Sequence, residues 1–264
     1  MGSFVLARGE SPPDGLRRTA VAEVRAALTS IKTLPSMEAI HEFRRATKRI
    51  RALLRIGEYL HDQESESLDH FFRHLALKAS AIRDLTVRIR LLEKQKRKLS
   101  SPWEVLQCER MEEQWQTQLE VFNFEALKAD LIKGLRTALR LLSLWPGIAP
   151  TRKDLKAALK KARTKAKKAR EKALKDPIPD NLHSWRKRTK TECNLRHFLN
   201  KSVKHSSKNR LNRLKHLSDL LGKDHDLVLL EESLAKDLVP RKAELGTLIA
   251  QERSRLQKHI SCAA

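Results

Sequence analysis

The residues of this chain best suited to chemistry are cationic, and they recur at helical spacing. At 100° per residue, His41, Arg44, Arg45, Lys48, Arg51 and Arg55 share one face, while Phe43, Ala46, Ile50, Leu53 and Leu54 lie opposite. A row of guanidinium, ammonium and imidazole groups suits a phosphate-rich polyanion, because each group donates charge-assisted hydrogen bonds to anionic oxygens. The segment His41-Glu-Phe-Arg-Arg-Ala-Thr-Lys48 returns as His183-Ser-Trp-Arg-Lys-Arg-Thr-Lys190, displaced by 142 residues. In this second copy His183, Arg186, Lys187, Lys190 and His197 share a face, but Arg188, Thr191 and Cys193 replace Ala46, Arg49 and Arg51. The same displacement pairs His74 with His216, Asp84-Leu85 with Asp226-Leu227, Leu92 with Leu234 and Lys94 with Lys236.

A third basic row runs from Arg152 to Lys175, with twelve basic and two acidic residues. Lys156, Lys160, Arg163 and Lys167 follow i, i+4, i+7, i+11 spacing, and Leu155, Ala158, Ala162 and Ala166 form a narrow apolar side. Cations so crowded repel one another unless an anion neutralises them. A single basic row is ordinarily a solvated face, and a basic run can be a flexible tail. The matched spacing in two copies and the helical Ala/Leu pattern favour a ligand surface, which Arg73, His74 and His216 join.

His41 and His183 fall about one turn inside helices expected to begin at Ser36 and near Pro179-Asp180, where free backbone N–H groups favour anions. Each is either a structural hydrogen-bonder or, beside Arg44 and Arg186, part of a phosphate clamp. Asp84 and Asp226 are read as orienting acids that pair with cations of the strips; the other reading makes them general bases.

The elements that must carry these residues are helices. Among 264 residues there are only eight Gly and nine Pro, and β-branched residues never alternate over a strand's length. An all-α fold is expected, built as two pseudo-symmetric helical bundles by internal duplication, over residues 1–150 and 151–264. Pro146-Gly147 and Pro150 punctuate the boundary. Helices are expected near 14–33, 37–60, 66–98, 103–122 and 124–144, then 152–175, 181–203, 207–237 and 240–260.

Lys and Arg number 55 against 32 acidic residues, a formal charge of +23. Such an excess implies a polyanionic partner: nucleic acid, an anionic membrane surface or polyphosphate. Cys108, Cys193 and Cys262 are scattered and odd in number, which supports neither a disulfide framework nor a zinc site. No metal and no cofactor is expected. Met1 to Arg25 contains no apolar stretch of signal-peptide length, and no segment has the roughly 20 apolar residues of a membrane span. The expectation is a cytoplasmic protein without membrane insertion.

The pattern H-x-[FW]-R-[RK]-x-T-K, with Asp84 43 residues after His41 and Asp226 43 residues after His183, resembles the CHAD domain, the conserved histidine α-helical domain. The resemblance runs from about residue 14 to 260. It implies pseudo-symmetric bundles around a basic channel, polyphosphate binding and association with polyphosphate granules. It carries the basic helix onto His41, Arg44, Lys48, Arg49, Arg51 and Arg55, and its second copy onto His183, Arg186, Lys187 and Lys190. The Leu-Gly step of the family stands as Leu221-Gly222 but reads Ala79-Ser80 in the first half. Many relatives carry a triphosphate-tunnel domain with an E-x-E-x-K signature. That signature is missing here, so a stand-alone binding module without enzymatic activity is expected.

Two rivals remain. His225-Asp226 is the dipeptide of the HD phosphohydrolases, but the first half has Arg83-Asp84 there, and Arg is no metal ligand. A nucleic-acid backbone could occupy the same strips through counterion release, and incidental RNA or DNA binding is expected even with polyphosphate as main ligand. Aromatic residues make up 5% of the chain, few for base stacking. For a membrane surface, the Lys/Arg-rich helix offers mainly Ala.

Overall fold

The computed structural model describes residues 4–200, 208–236 and 243–263, and these form ten α-helices with no strand. In chain order they are α1 (Pro12–Thr33), α2 (Ser36–Tyr59), α3 (Gln63–Lys78), α4 (Ser80–Lys96), α5 (Pro102–Glu120), α6 (Phe124–Leu144), α7 (Arg152–Lys175), α8 (Pro179–Phe198), α9 (Lys208–Lys236) and α10 (Glu244–Ala263).

Short-range chemistry explains where several begin. Ser11 caps α1 by accepting from the Asp14 N–H, with Pro12 in the first turn. Ser101 and Pro102 repeat the device in α5. At α7 the Thr151 N–H donates to the Asp154 carboxylate (2.8 Å) and the Asp154 N–H donates to Thr151 Oγ1 (3.2 Å), a reciprocal capping box.

One expectation needs correction. The helix expected over 66–98 is two helices, α3 and α4, with Ala79 as the break. Ser80 Oγ donates back to the Ala76 carbonyl (3.1 Å), a side-chain bond that competes with the helical ladder. The matching stretch of the second half has Gly222 in place of Ser80 and runs unbroken as α9. The expected extension of α8 towards 203 already gives way to a turn at 199–200. Its final residues 201–203, the helix ends placed at 207 and 237 and the start placed at 240 lie outside the described residues.

The chain divides into two compact units. The first comprises Met1–Ser80, Phe124–Lys168 and Lys187–Lys215; the second comprises Ala81–Asn123, Ala169–Arg186 and His216–Ala264. Each draws on both halves of the sequence. In the first unit α2 packs on α1 and α3, and α6 packs on α1 and α3, so the four close into a bundle. Its core is made of stripes at helical spacing, including Leu16, Ala20, Val24 and Ala27 of α1, Phe43, Ile50 and Leu54 of α2, and Leu131, Leu135 and Leu142 of α6. Trp145 plugs the end, with Nε1 donating to Ser65 Oγ (2.7 Å) while its carbonyl accepts from Arg17 Nε (2.8 Å).

The second unit has two apolar clusters. Leu85, Ile89 and Leu92 of α4 meet Cys108, Met111 and Trp115 of α5, Leu227, Leu230 and Leu234 of α9, and Ile249 of α10. Trp185 and Leu182 of α8 meet Ala173, Leu217, Leu221 and Ile260. Glu244 accepts from the backbone N–H groups of Ser100 and Ser101, and Glu104 accepts from those of Glu244 and Leu245, so α5 and α10 cap each other's beginnings.

Candidate anion-binding site

In the first unit the apolar side of α2 is consumed by the core, which turns its cations outward. His41, Arg45 and Lys48 are exposed, while Arg44, Arg51 and Arg55 are partly covered. What organises the C-terminal end of this row is Asp69 of α3. Its carboxylate accepts from Arg51 Nε (2.8 Å) and Nη2 (3.1 Å) and from Arg55 Nη2 (3.3 Å), and Arg73 Nη2 lies 3.5 Å away. Burial alone would raise the Asp69 carboxyl, but the Arg51 hydrogen bonds and the charges of Arg51, Arg55 and Arg73 outweigh it and hold its pKa below the usual value. One buried acid thus fixes three guanidiniums whose combined charge exceeds its own. Arg55 also pairs with Glu58.

Further cations gather around Lys165 of α7. Lys165 of α7 has its pKa held below the ordinary lysine value, first by burial and then by Arg188 and Lys161, against the pull of Glu58 and with Arg55 adding to the repulsion. Lys161 rests on the Tyr59 ring, 5.0 Å from its centroid. Arg51, Arg55 and Arg73 around Asp69, and Lys161, Lys165 and Arg188 beside Arg55 and Glu58, therefore gather cations in excess of these two acids.

The α7 residues singled out by spacing, Lys156, Lys160, Arg163 and Lys167, are exposed on other sides of the helix. Arg73, His74, Lys187 and His216 are likewise exposed. Asn194 Nδ2 donates to the Lys48 carbonyl (3.3 Å), which sets the later turns of α8, with Lys187 and half-buried Lys190, beside α2. Arg49 points elsewhere: it pairs with Glu23 of α1 (3.0 Å) and lies 5.0 Å over the Phe4 ring, and Arg45 pairs with Glu42. His197 also leaves the row to stack at a tilt on Phe4.

The second unit holds a different constellation. Arg186, one turn after His183 on α8, lies against Gly222 of α9; a Cβ there would stand 3.4 Å from Arg186 Nη2. Arg83 of α4 donates to Asp84 (3.0 Å) and from Nη2 to Asp226 of α9 (2.8 Å). The His183 and His225 rings are 4.1 Å apart between centroids and inclined by 36°. Burial lowers the Arg186 pKa; Asp226 opposes this, Arg83 reinforces it, and Asp84 and Asp219 oppose it more weakly. His225 is pushed down to about 4 by burial, then by His183 and Arg186.

Asp84 and Asp226 do pair with a cation, but it is Arg83, absent from the strips. In the first unit the counterpart of this packing is Arg44, whose Nη1 donates to Ser80 Oγ (3.0 Å). Arg44 and Ser80 stand 142 residues before Arg186 and Gly222. Among the described residues no three His, Cys, Asp or Glu side chains come together as a metal site. No helix among them is long and apolar enough to cross a membrane.

Spacing on single helices missed Asp69, Arg83, Lys161, Lys165, Arg188 and His225 as parts of these clusters. The one available signal was Asp69 itself. An acid at i+4 from Ser65 and three before Phe72 stands inside a buried stripe and needs a cation to be there.

Comparison with known proteins agrees with the helical architecture. No curated protein sequence matches the chain. The crystal structure of the CHAD domain from the plant Ricinus communis is similar over 99% of this chain and 90% of that one, at 15% identity and a TM-score of 0.61. The CHAD domain family model matches residues 16–235. With the H-x-[FW]-R-[RK]-x-T-K segments inside the matched region, the chain belongs to the CHAD domain family.

Proposed function

We propose that this protein binds long inorganic polyphosphate, non-catalytically, through the cationic clusters of its two units. The observation that carries this reading is the crowding around Lys165. Burial, then Arg188 and Lys161 and more weakly Arg55, hold the Lys165 pKa below the ordinary lysine value, against the pull of Glu58. Like charges gathered this way cost stability in the absence of an anion, and a chain of closely spaced phosphates relieves all of them in one binding event. Membership of the CHAD family supports polyphosphate as the polyanion. The recurrence of the Arg44–Ser80 packing as Arg186–Gly222 supports descent of the two halves from one duplicated module.

Binding rests on ammonium, guanidinium and imidazole groups, so it requires no metal, and the protein acts by holding the polymer in the cytoplasm at polyphosphate granules. The deciding experiment is calorimetric titration with long-chain polyphosphate at two salt concentrations, with RNA of equal charge as competitor. Polyphosphate should bind with a steep negative salt slope, and RNA should displace it only at large excess. Equal competition by RNA would make this a general phosphate-backbone binder. Phosphate release that needs Mg²⁺ or Mn²⁺ would instead establish a phosphohydrolase.

A further inference from the structure

The second unit carries an arrangement that simple cation binding does not need. Two imidazoles stack at 4.1 Å within a partly buried set that also contains Arg186, Arg83, Asp84 and Asp226. The rings come from helices that also present the cations: His183 and Arg186 are one turn apart on α8, His225 and Asp226 are adjacent on α9, and Arg83 and Asp84 reach in from α4. Gly222, one turn before His225, gives the Arg186 guanidinium room against the α9 backbone. Asp219 adds a weaker negative charge from α9.

We infer that the His183–His225 pair with Arg186 and Arg83 forms a proton-coupled phosphoryl subsite, in which seating a phosphate group of the polymer draws one proton from solvent onto the imidazole pair. This rests on the polyphosphate reading and adds to it the regulation of one locus by pH.

The argument is electrostatic. Without ligand, burial makes a further positive charge on the pair unfavourable, and the neighbouring imidazole and the two guanidiniums add to the penalty. Together they hold the His225 pKa down at about 4. Asp226 offers limited relief, because its carboxylate is engaged by Arg83 at 2.8 Å. A phosphate oxygen placed among these groups reverses the balance. It offsets the guanidinium charge and accepts an imidazole N–H, both of which favour the protonated ring. Since binding favours protonation, protonation favours binding, and affinity must rise as pH falls. The proton adds to an imidazole nitrogen and is returned to solvent when the polymer leaves. The sign is distinctive, because terminal phosphates brought near cations release protons rather than take them up.

The test is calorimetric titration of the whole chain with long-chain polyphosphate at pH 5.5, 6.5 and 7.5, each in two buffers of contrasting ionisation enthalpy. The wild-type protein should take up about one proton per subsite at pH 5.5 to 6.5, and its Kd should tighten by up to about tenfold per pH unit, the limit for one linked proton. His225→Gln should flatten this dependence and abolish the uptake. Arg73→Gln, in the other unit, should weaken binding at every pH and keep the slope. Wild-type binding without proton uptake would overturn the subsite whether or not the variant folds. Uptake that persists when His183 and His225 are both replaced by Gln would assign the proton to exposed histidines such as His41, His74 and His216 and overturn it equally. Absence of binding at every pH would strike the polyphosphate reading itself.

Discussion

Arg186 lies flat against Gly222, with Nη2 and Nε 3.4 and 3.5 Å from where a Cβ would stand. A mid-helix glycine costs about 1 kcal/mol relative to alanine, so its presence in the long helix α9 calls for a reason, and the guanidinium supplies one. The close approach lets Arg186 sit beside Asp226 and the two histidines instead of reaching into solvent.

Substitution at this position should separate stability from binding. Gly222→Ala places a methyl group at the edge of ordinary contact, so the melting temperature should stay level or rise by a few degrees. Gly222→Leu has no such room and should displace Arg186, weakening polyphosphate binding several-fold while the helix content by circular dichroism is kept. Unchanged affinity in the leucine variant would show that Arg186 need not be seated on α9.

Asp69 makes the opposite case, an acid that positions cations. Asp69→Asn removes the charge that Arg51, Arg55 and Arg73 share, leaving guanidiniums crowded without compensation. Breaking such a buried ion-pair set should destabilise the protein by about 3 kcal/mol, read from urea unfolding. If the variant unfolds with wild-type midpoint and slope, Asp69 does not hold the three arginines.

The pH dependence of folding should carry the mark of Glu252. Burial alone would raise its pKa, but hydrogen bonds from Lys94, Gln95 and Lys98 bring it down to about 2. A folded pKa below the unfolded value gives stability that is full above about 4.5 and is lost as pH falls from there towards 2. Glu252→Gln should therefore be less stable by about 1 kcal/mol at pH 7, a figure reduced for solvent screening, and match the wild type near pH 2. A deficit that persisted at pH 2 would point to poorer packing instead.

The sequence carried the helices well, because amphipathic stripes, caps such as Ser11 and Thr151, and the Pro146-Gly147 break are local signals. The α3–α4 break escaped it, since it depends on one serine hydroxyl bonding back to Ala76. The cationic rows were legible as rows, but their partners were not. Asp69 has Leu211 as its counterpart 142 residues on, so the repeat could not flag it. Arg188 stands where the first half has buried Ala46 and looked like a departure from the pattern. Lys161 and Lys165 carry the same charge as Lys156 and Lys160, and only packing decides which pair meets Arg55. Repeats and periodicity report what each helix offers, whereas convergence depends on which face of each helix packs against its neighbours.

That distinction can be measured on α7. Removing Lys161 and Lys165 together takes away two charges of the cluster around Lys165, whereas Lys156 and Lys160, equally exposed, lie on another side of the same helix. Lys161→Gln with Lys165→Gln should therefore leave folding stability unchanged or raise it by a few tenths of a kcal/mol, because the repulsion around Lys165 is relieved in a largely solvated setting. The same pair should weaken polyphosphate binding more than tenfold and reduce the slope of log K against log salt by about 2, one for each cation that no longer meets a phosphate. Lys156→Gln with Lys160→Gln removes equal charge and serves as the comparison. A diffuse cloud of +23 responds to total charge and predicts the same weakening from both pairs. A built cluster predicts that the Lys161–Lys165 pair costs affinity while sparing or improving stability, and that the Lys156–Lys160 pair does neither to any comparable degree. Equal weakening by the two pairs would remove the cluster and leave binding to net charge alone.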